Sequence, residues 1–281
     1  MKSLLAIVVA IFMVFTVFLA ITPAVAAPNE NASDKAKENA QVSIPANAKK
    51  IAPGIYHLGF AIDEGKVVEG IMAFHHRPGH SGGPGGSGGP IDGEPTGNSN
   101  CYSLFAKGAK WKGVEPWLVN PSNSEGLSDS FLLGNLQSNI QKWEDESTTN
   151  ILGNGAITSA ILVADTISPD DANEVYFGDI AEPNSIAVTI VWGIFSGPPN
   201  NRILVEWDQV YDDVTFDWSS TGEADKMDFE NISTHEMGHS LGLSHPDNTC
   251  TLETMYAFAG EGETNKRTLE IGDTTGINKL Y

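Results

Sequence analysis

Three histidines and one glutamate fall within the eleven residues HEMGHSLGLSH, 235–245. His235 and His239 are four apart, so on a helix both imidazoles share one face, one turn above the other. Two nitrogens so placed can hold one tetrahedral zinc at about 2.0–2.1 Å each. Glu236 projects beside such a metal rather than onto it, where it can hold a metal-bound water and take its proton. Gly242 lets the backbone turn through a left-handed conformation that a β-carbon would penalise, and the turn returns His245 as a third ligand. Three neutral nitrogens leave the fourth position to water, the open coordination of a catalytic zinc rather than a closed structural one. The bland alternative is a set of solvated or core-satisfied histidines. The extended pattern H-E-x-x-H-x-x-G-x-x-H weighs against it, because it fixes a glycine and a third histidine as well. The other four histidines, His57, His75, His76 and His80, all precede residue 81.

The elements that must position these residues can be read from apolar spacing. A helix from about Asp225 to Leu241, closed by Gly242, would carry the first two histidines. Upstream, LSDSFLLGNLQSNIQKWEDE predicts a helix capped by Ser128, with Phe131, Leu132, Leu136, Ile140 and Trp143 near one face. Strands are expected over 111–120, 156–164, 174–180, 185–195 and 202–211, separated by Asp and Gly/Pro clusters. A short last helix over about 273–280 buries Ile277 and Leu280. The fold class is therefore α/β (α+β), with residues 101–281 as one domain of ordinary size.

Before that domain, 51–63 and 66–76 read as two strands about an Asp63-Glu64-Gly65 turn. Residues 77–100 are a Gly/Pro/Ser tract with the composition of a linker. The segment 27–76 has two open readings, a propeptide or inhibitory module and a spacer. His75 and His76, next to His80, could bind metal, but in a flexible run they are more often incidental. Residues 1–26 look like an export signal: Lys2, an apolar run from Leu4 to Ile21, then Ala24-Val25-Ala26 in the A-x-A pattern. The other reading is an uncleaved anchor, since the run is just long enough to span a bilayer. Either way the rest is expected outside the cytoplasm, secreted or tethered at the surface. In an oxidising compartment Cys101 and Cys250, the only two cysteines, pair by default. The sequons at Asn31 and Asn231 are expected to differ, because Asn231 lies inside the predicted metal-site helix. The net charge of −20 argues against nucleic acid or an anionic membrane surface as partner, because like charge repels.

HEMGHSLGLSH resembles the zinc signature of the metzincins, a group of zinc endopeptidases with a methionine in a tight turn under the metal. CTLETMYAF, 250–258, places Met255 in that role. AKWKGVEPWLVNP, LGNLQSNIQKW and LEIGDTTGINKLY are similar to the opening strand, first helix and closing helix of the matrixins, the family of the matrix metalloproteinases. The resemblance implies a zincin domain: a twisted mixed sheet, an active-site helix and a C-terminal helix. It further implies one catalytic zinc on His235, His239 and His245, Glu236 as general base, and a protein or peptide substrate. That substrate would lie along a sheet edge near SIAVTIVW, with its specificity pocket shaped by 246–270. Continuous apolar character alone would also fit a fully buried strand there.

Departures from the family bear on regulation. The histidines of a second, structural zinc are missing, since 81–234 contains none. Structural calcium near Asp170, Asp171 and Asp179 stays open beside the reading that these loops are merely solvated. No P-R-C-G latency segment exists, so Cys101 is either a metal-blocking cysteine or the partner of Cys250. Tyr256 is one residue short of the tyrosine that nears the metal in other metzincins, and no role is assigned to it. Two rival functions remain: an extracellular zinc-binding surface module without turnover, and a zinc amidohydrolase acting on a non-protein substrate.

Overall fold

The computed structural model describes residues 41–78 and 98–281. The N-terminal apolar segment, Asn31, His80 and nearly all of the Gly/Pro/Ser tract lie outside the described residues. Three strands come first: β1 (Lys49–Ala52), β2 (Ile55–Asp63) and β3 (Lys66–His76). The β2–β3 turn is Glu64-Gly65, both at positive φ (44° and 78°), the two-residue geometry whose twist matches the flanking strands. A short β4 (Ser103–Leu104) and β5 (Glu115–Asn120) lead into helix α1 (Asp129–Ser147). β6 (Leu152–Ile157), β7 (Glu174–Gly178), β8 (Ser185–Ile194) and β9 (Ile203–Asp212) follow. The chain then forms β10 (Trp218–Ser219), β11 (Met227–Asp228), helix α2 (Phe229–Ser240), β12 (Leu243–Ser244) and helix α3 (Ile271–Leu280).

Eight strands form one mixed sheet in the order β1-β2-β3-β8-β9-β7-β5-β6. β6, β5, β7 and β9 run parallel to one another, whereas β8 is antiparallel to β9 and β3 is antiparallel to β8. The fold is thus α/β with a mixed sheet, an α2 that carries the histidines and a terminal α3. One expectation fails: β8 is not an edge. The β2–β3 hairpin is paired to it, and only Ile194 of its ten residues is not buried. The alternative of a fully buried strand is the one observed.

Period-two alternation divides the sheet's side chains between two apolar layers. Trp207 and Tyr211 of β9, Val175 and Phe177 of β7, and Ala187 and Val191 of β8 pack with Trp143 of α1 and Ile232 and Met237 of α2. Val188, Ile190 and Trp192 of β8 face the other way, against Leu58, Val68, Met72 and Phe74 of the hairpin and Leu162 and Ala164 of the 158–164 segment. That segment was expected to be strand. The strand instead ends at Ile157, because 158–164 covers a sheet face rather than joining the ladder. α2 also starts later than expected. Met227–Asp228 pairs in parallel with Trp218–Ser219, and Asp228 becomes the N-cap, its Oδ1 accepting from the Asn231 amide at 2.9 Å. Arg267 holds the same carboxylate through Nε at 2.8 Å and Nη2 at 2.6 Å.

Candidate metal centre

α2 is buried almost all round, so its short run of polar residues must find partners inside the protein. α1 supplies several. Trp143 Nε1 donates to the Thr234 carbonyl at 3.0 Å, and Asn139 donates to Ser233 Oγ at 2.6 Å. β9 supplies Gln209, whose amide donates to Ser240 Oγ at 2.8 Å. The helix ends at Ser240, with Leu241 as its C-cap. Gly242 follows at φ +103°, where an added Cβ would lie 3.0 Å from the Ala109 carbonyl, so the turn that returns His245 requires glycine.

The turn brings the three imidazoles together. His245 Nε2 lies 3.3 Å from His235 Nε2 and 3.1 Å from His239 Nε2. Donors at about 2.0–2.1 Å from one tetrahedral zinc are about 3.3 Å apart, so the set fits that ion. The opposite ring atoms fix the tautomer. His235 Nδ1 meets the Thr254 carbonyl at 2.6 Å, His239 Nδ1 the Leu243 carbonyl at 2.9 Å, and His245 Nδ1 the Pro53 carbonyl at 3.4 Å. A carbonyl can only accept, so each Nδ1 carries the hydrogen and each Nε2 presents its lone pair to the centre. Burial holds all three imidazoles below their ordinary range, His239 at about 4, and so keeps them neutral as ligands must be.

Glu236 is fully buried beside the triad. Burial pushes its carboxyl up to about 8, partly offset by Thr189, whose hydroxyl donates to Oε2 at 2.6 Å. Among the described residues Oε1 has no hydrogen-bond partner. Met255 is buried below the helix, and its sulfur would lie 2.2 Å from a Cβ added at Gly238, so residue 238 has room for no side chain. The turn holding Met255 is tied to α3. Asp273 accepts the Thr254 amide at 2.7 Å and the Met255 amide at 3.1 Å. Cys101 and Cys250 form a disulfide across 149 residues, so Cys101 does not reach the centre.

Sequence reasoning missed several residues at the site. Thr189 was one hydroxyl inside an apolar strand, and its place on the α2 side follows from alternation with Val188 and Ile190. His75 was read as incidental. It is fully buried at the end of β3, its ring stacked 3.8 Å from that of His235 and its Nδ1 3.3 Å from Glu236 Oε1, though without hydrogen-bond geometry. Asp273, Pro53 and Gly54 gave no signal. The acidic residues proposed for calcium do not converge. Asp179 accepts from Gln41, Asp171 faces Asp63, and Asp170 instead joins Asp165 and Glu206. Asn231 is buried and bonded to the Lys266 amide at 2.7 Å, so in the folded chain it is closed to glycosylation.

No curated protein matches the chain. The family model described as Matrixin matches residues 170–281, which hold α2, the three histidines, the Met255 turn and α3. That match and this geometry together support a matrixin-like metzincin catalytic domain.

Proposed function

We propose that the protein is an exported, zinc-dependent endopeptidase with Glu236 as its general base. The observation that carries the reading is the convergence of three Nε2 lone pairs, tautomer-locked by backbone carbonyls, next to a buried carboxylate with one free oxygen. His235, His239 and His245 would hold the zinc. When bound, the metal supplies Lewis acidity toward a water and toward the carbonyl of the bond to be cut. Thr189 fixes Oε2 of Glu236, which leaves Oε1 to take the proton of the attacking water and deliver it to the departing amine. A pure metal store has no use for such a base, which disfavours the binding-module reading. The matrixin match favours peptide over another amide. Export rests on the N-terminal pattern alone. Among the described residues no helix is long and apolar enough to cross a membrane.

The test pairs metal content with cleavage of an unstructured protein such as casein. One zinc per chain, lost in His239→Ala, is the expected result, together with cleavage by the chain whose N-terminal hairpin has been displaced, which Glu236→Ala abolishes while keeping the zinc. A chain that holds zinc yet cuts nothing after its N-terminal hairpin has been displaced would sink the peptidase reading.

A structural calcium belongs to the same reading, but at Asp165, Asp170 and Glu206, whose ligand oxygens lie within 4.8 Å of one another. Among the described residues Glu206 Oε1, Asp165 Oδ2 and the neighbouring Asp208 Oδ1 have no hydrogen-bond partner, and Glu206 and Asp208 are nearly fully buried. A hard cation with oxygen ligands at about 2.3–2.6 Å fits that spacing and that charge.

A further inference from the structure

β8 is the strand along which an extended peptide would reach the metal centre, and β3 is already there. It runs antiparallel to β8 in the register Ala73↔Thr189, Phe74↔Val188 and His75↔Ala187. On its other side it meets the loop that follows Met255. The His76 amide donates to the Ala257 carbonyl at 3.0 Å and the Ala259 amide to the His76 carbonyl at 3.0 Å, a parallel bridge centred on Phe258. Residues 74–76 are therefore held by main-chain hydrogen bonds between a sheet strand and a loop wall, which is how strand addition binds a peptide.

The polar groups of β3 follow the antiparallel rule that one residue's N–H and C=O point to the same side. The Phe74 amide donates away from β8, to the Gly54 carbonyl at 2.8 Å, so the Phe74 carbonyl also opens on that flank. That flank is the metal centre's. A Cβ added at Gly54 would lie 3.0 Å from the Phe74 oxygen and 3.4 Å from His245 Cε1, and the Pro53 carbonyl meets His245 Nδ1. The next side chain, His75, drops onto the α2 face. There it stacks on His235 and covers Oε1 of Glu236, the one free oxygen of the carboxylate.

We propose that β3 sits in the peptide-binding cleft as a substrate strand would, with the Phe74–His75 bond over the metal centre and the His75 ring filling the pocket beside His235, so that the hairpin holds the protein latent. This rests on the peptidase reading of the site. Of the two readings of the 27–76 segment, it favours the inhibitory module. The hairpin is not loosely laid on. Leu58, Val68, Met72 and Phe74 are buried against Val188, Ile190 and Trp192 of β8, and Gly70 is kept bare by the Trp192 ring, 2.8 Å from where its Cβ would be. The Pro53-Gly54 turn and the His75 ring close the centre from two sides, which explains how a peptide in register with the site can persist there uncut.

The experiment uses the zinc-loaded full chain and a short peptide hydroxamate, titrated by calorimetry into wild type, His76→Pro and His75→Ala. Proline at 76 removes the N–H that ties β3 to Ala257, and thermal melting checks its fold. His75→Ala keeps the ladder and empties the space beside His235. A covered cleft lowers apparent affinity by the fraction of molecules that are open, so both variants should bind at least about tenfold more tightly than wild type. Equal affinity in wild type and His75→Ala, or in wild type and a folded His76→Pro, overturns the proposal. Casein cleavage is read in parallel. Tighter hydroxamate binding with no cleavage by either variant keeps the cover and removes the peptidase, whereas cleavage by wild type as fast as by the variants removes the cover and keeps the peptidase.

Discussion

The hydroxyl of Thr189 donates to Oε2 of Glu236 at 2.6 Å, with both side chains fully buried. On the proposed reading, the strand that would align a peptide also aims the base, so that peptide register and proton transfer would share one rigid element. Replacing the donor leaves a buried carboxylate oxygen without a partner, which costs about 1.5–3 kcal/mol. Thr189→Val should therefore lower kcat about tenfold to a hundredfold, while Thr189→Ser stays near the parent value and both keep their zinc. The measurement is casein cleavage in the His76→Pro background, with metal content determined alongside. Equal rates for the Val and Ser variants would remove Thr189 from the mechanism.

Asp273 reaches the metal centre through the backbone. Its carboxylate accepts the Thr254 and Met255 amides and the Glu270 amide, and the Thr254 carbonyl in turn orients His235. Asp273→Ala strands three buried or half-buried amides, a loss of about 3 kcal/mol or more at about 1–3 kcal/mol each. Zinc affinity should fall about tenfold to a hundredfold, the usual effect of losing an outer partner. Competition against a chromophoric chelator measures the second effect and thermal melting the first. Unchanged zinc affinity would show that the Met255 turn holds its place without α3.

Gly238 and Met255 occupy one volume. A methyl at 238 would lie 2.2 Å from the Met255 sulfur and 2.8 Å from Trp143 Cζ2. Gly238→Ala should destabilise by about 1–3 kcal/mol, the ordinary cost of overpacking. Pairing it with Met255→Ala should recover part of that loss, because the cavity of one substitution admits the methyl of the other. Denaturant melts of the single and double variants give the coupling, and simple additivity would contradict this packing.

Stability should fall as pH rises unless calcium is present. Burial raises Asp165 to about 6, Glu174 to about 7 and Glu206 to about 8, with mutual repulsion adding to the effect, and burial also raises Asp208. The native state then binds more protons than the unfolded chain, so the stability present below about pH 4 is lost as pH climbs through 6 to 8. Millimolar calcium should restore the melting temperature at pH 8 and change it little at pH 5, where protons already neutralise the cluster. Asp165→Asn with Glu206→Gln should flatten the pH dependence and abolish the calcium response. A calcium response that survives the double substitution would move the ion elsewhere.

The legible parts of the sequence were those carried by local periodicity. The spacing of 235, 239, 242 and 245 needs only a helix and a left-handed turn to converge, and both are local. The same holds for the Ser128 cap, the apolar stripe of α1 and the Glu64-Gly65 turn. Errors came where apolar residues served a surface rather than a ladder. Leu162 and Ala164 are buried against the sheet's far face, which sequence cannot tell from strand pairing. The start of α2 was placed too early because the pairing of Met227–Asp228 with Trp218–Ser219 is not a local property.

The sequence by itself determined which atoms could bind a metal and which carboxylate stands beside them, since a few residues of one chain segment set that geometry. Only the tertiary structure decided what surrounds them. Thr189 comes from a strand 47 residues away, the Met255 turn is anchored by Asp273 from the last helix, and His75 arrives from a hairpin 161 residues before Glu236. These contacts depend on how sheet strands order themselves, and strand order follows from burial summed over the whole chain rather than from any local pattern.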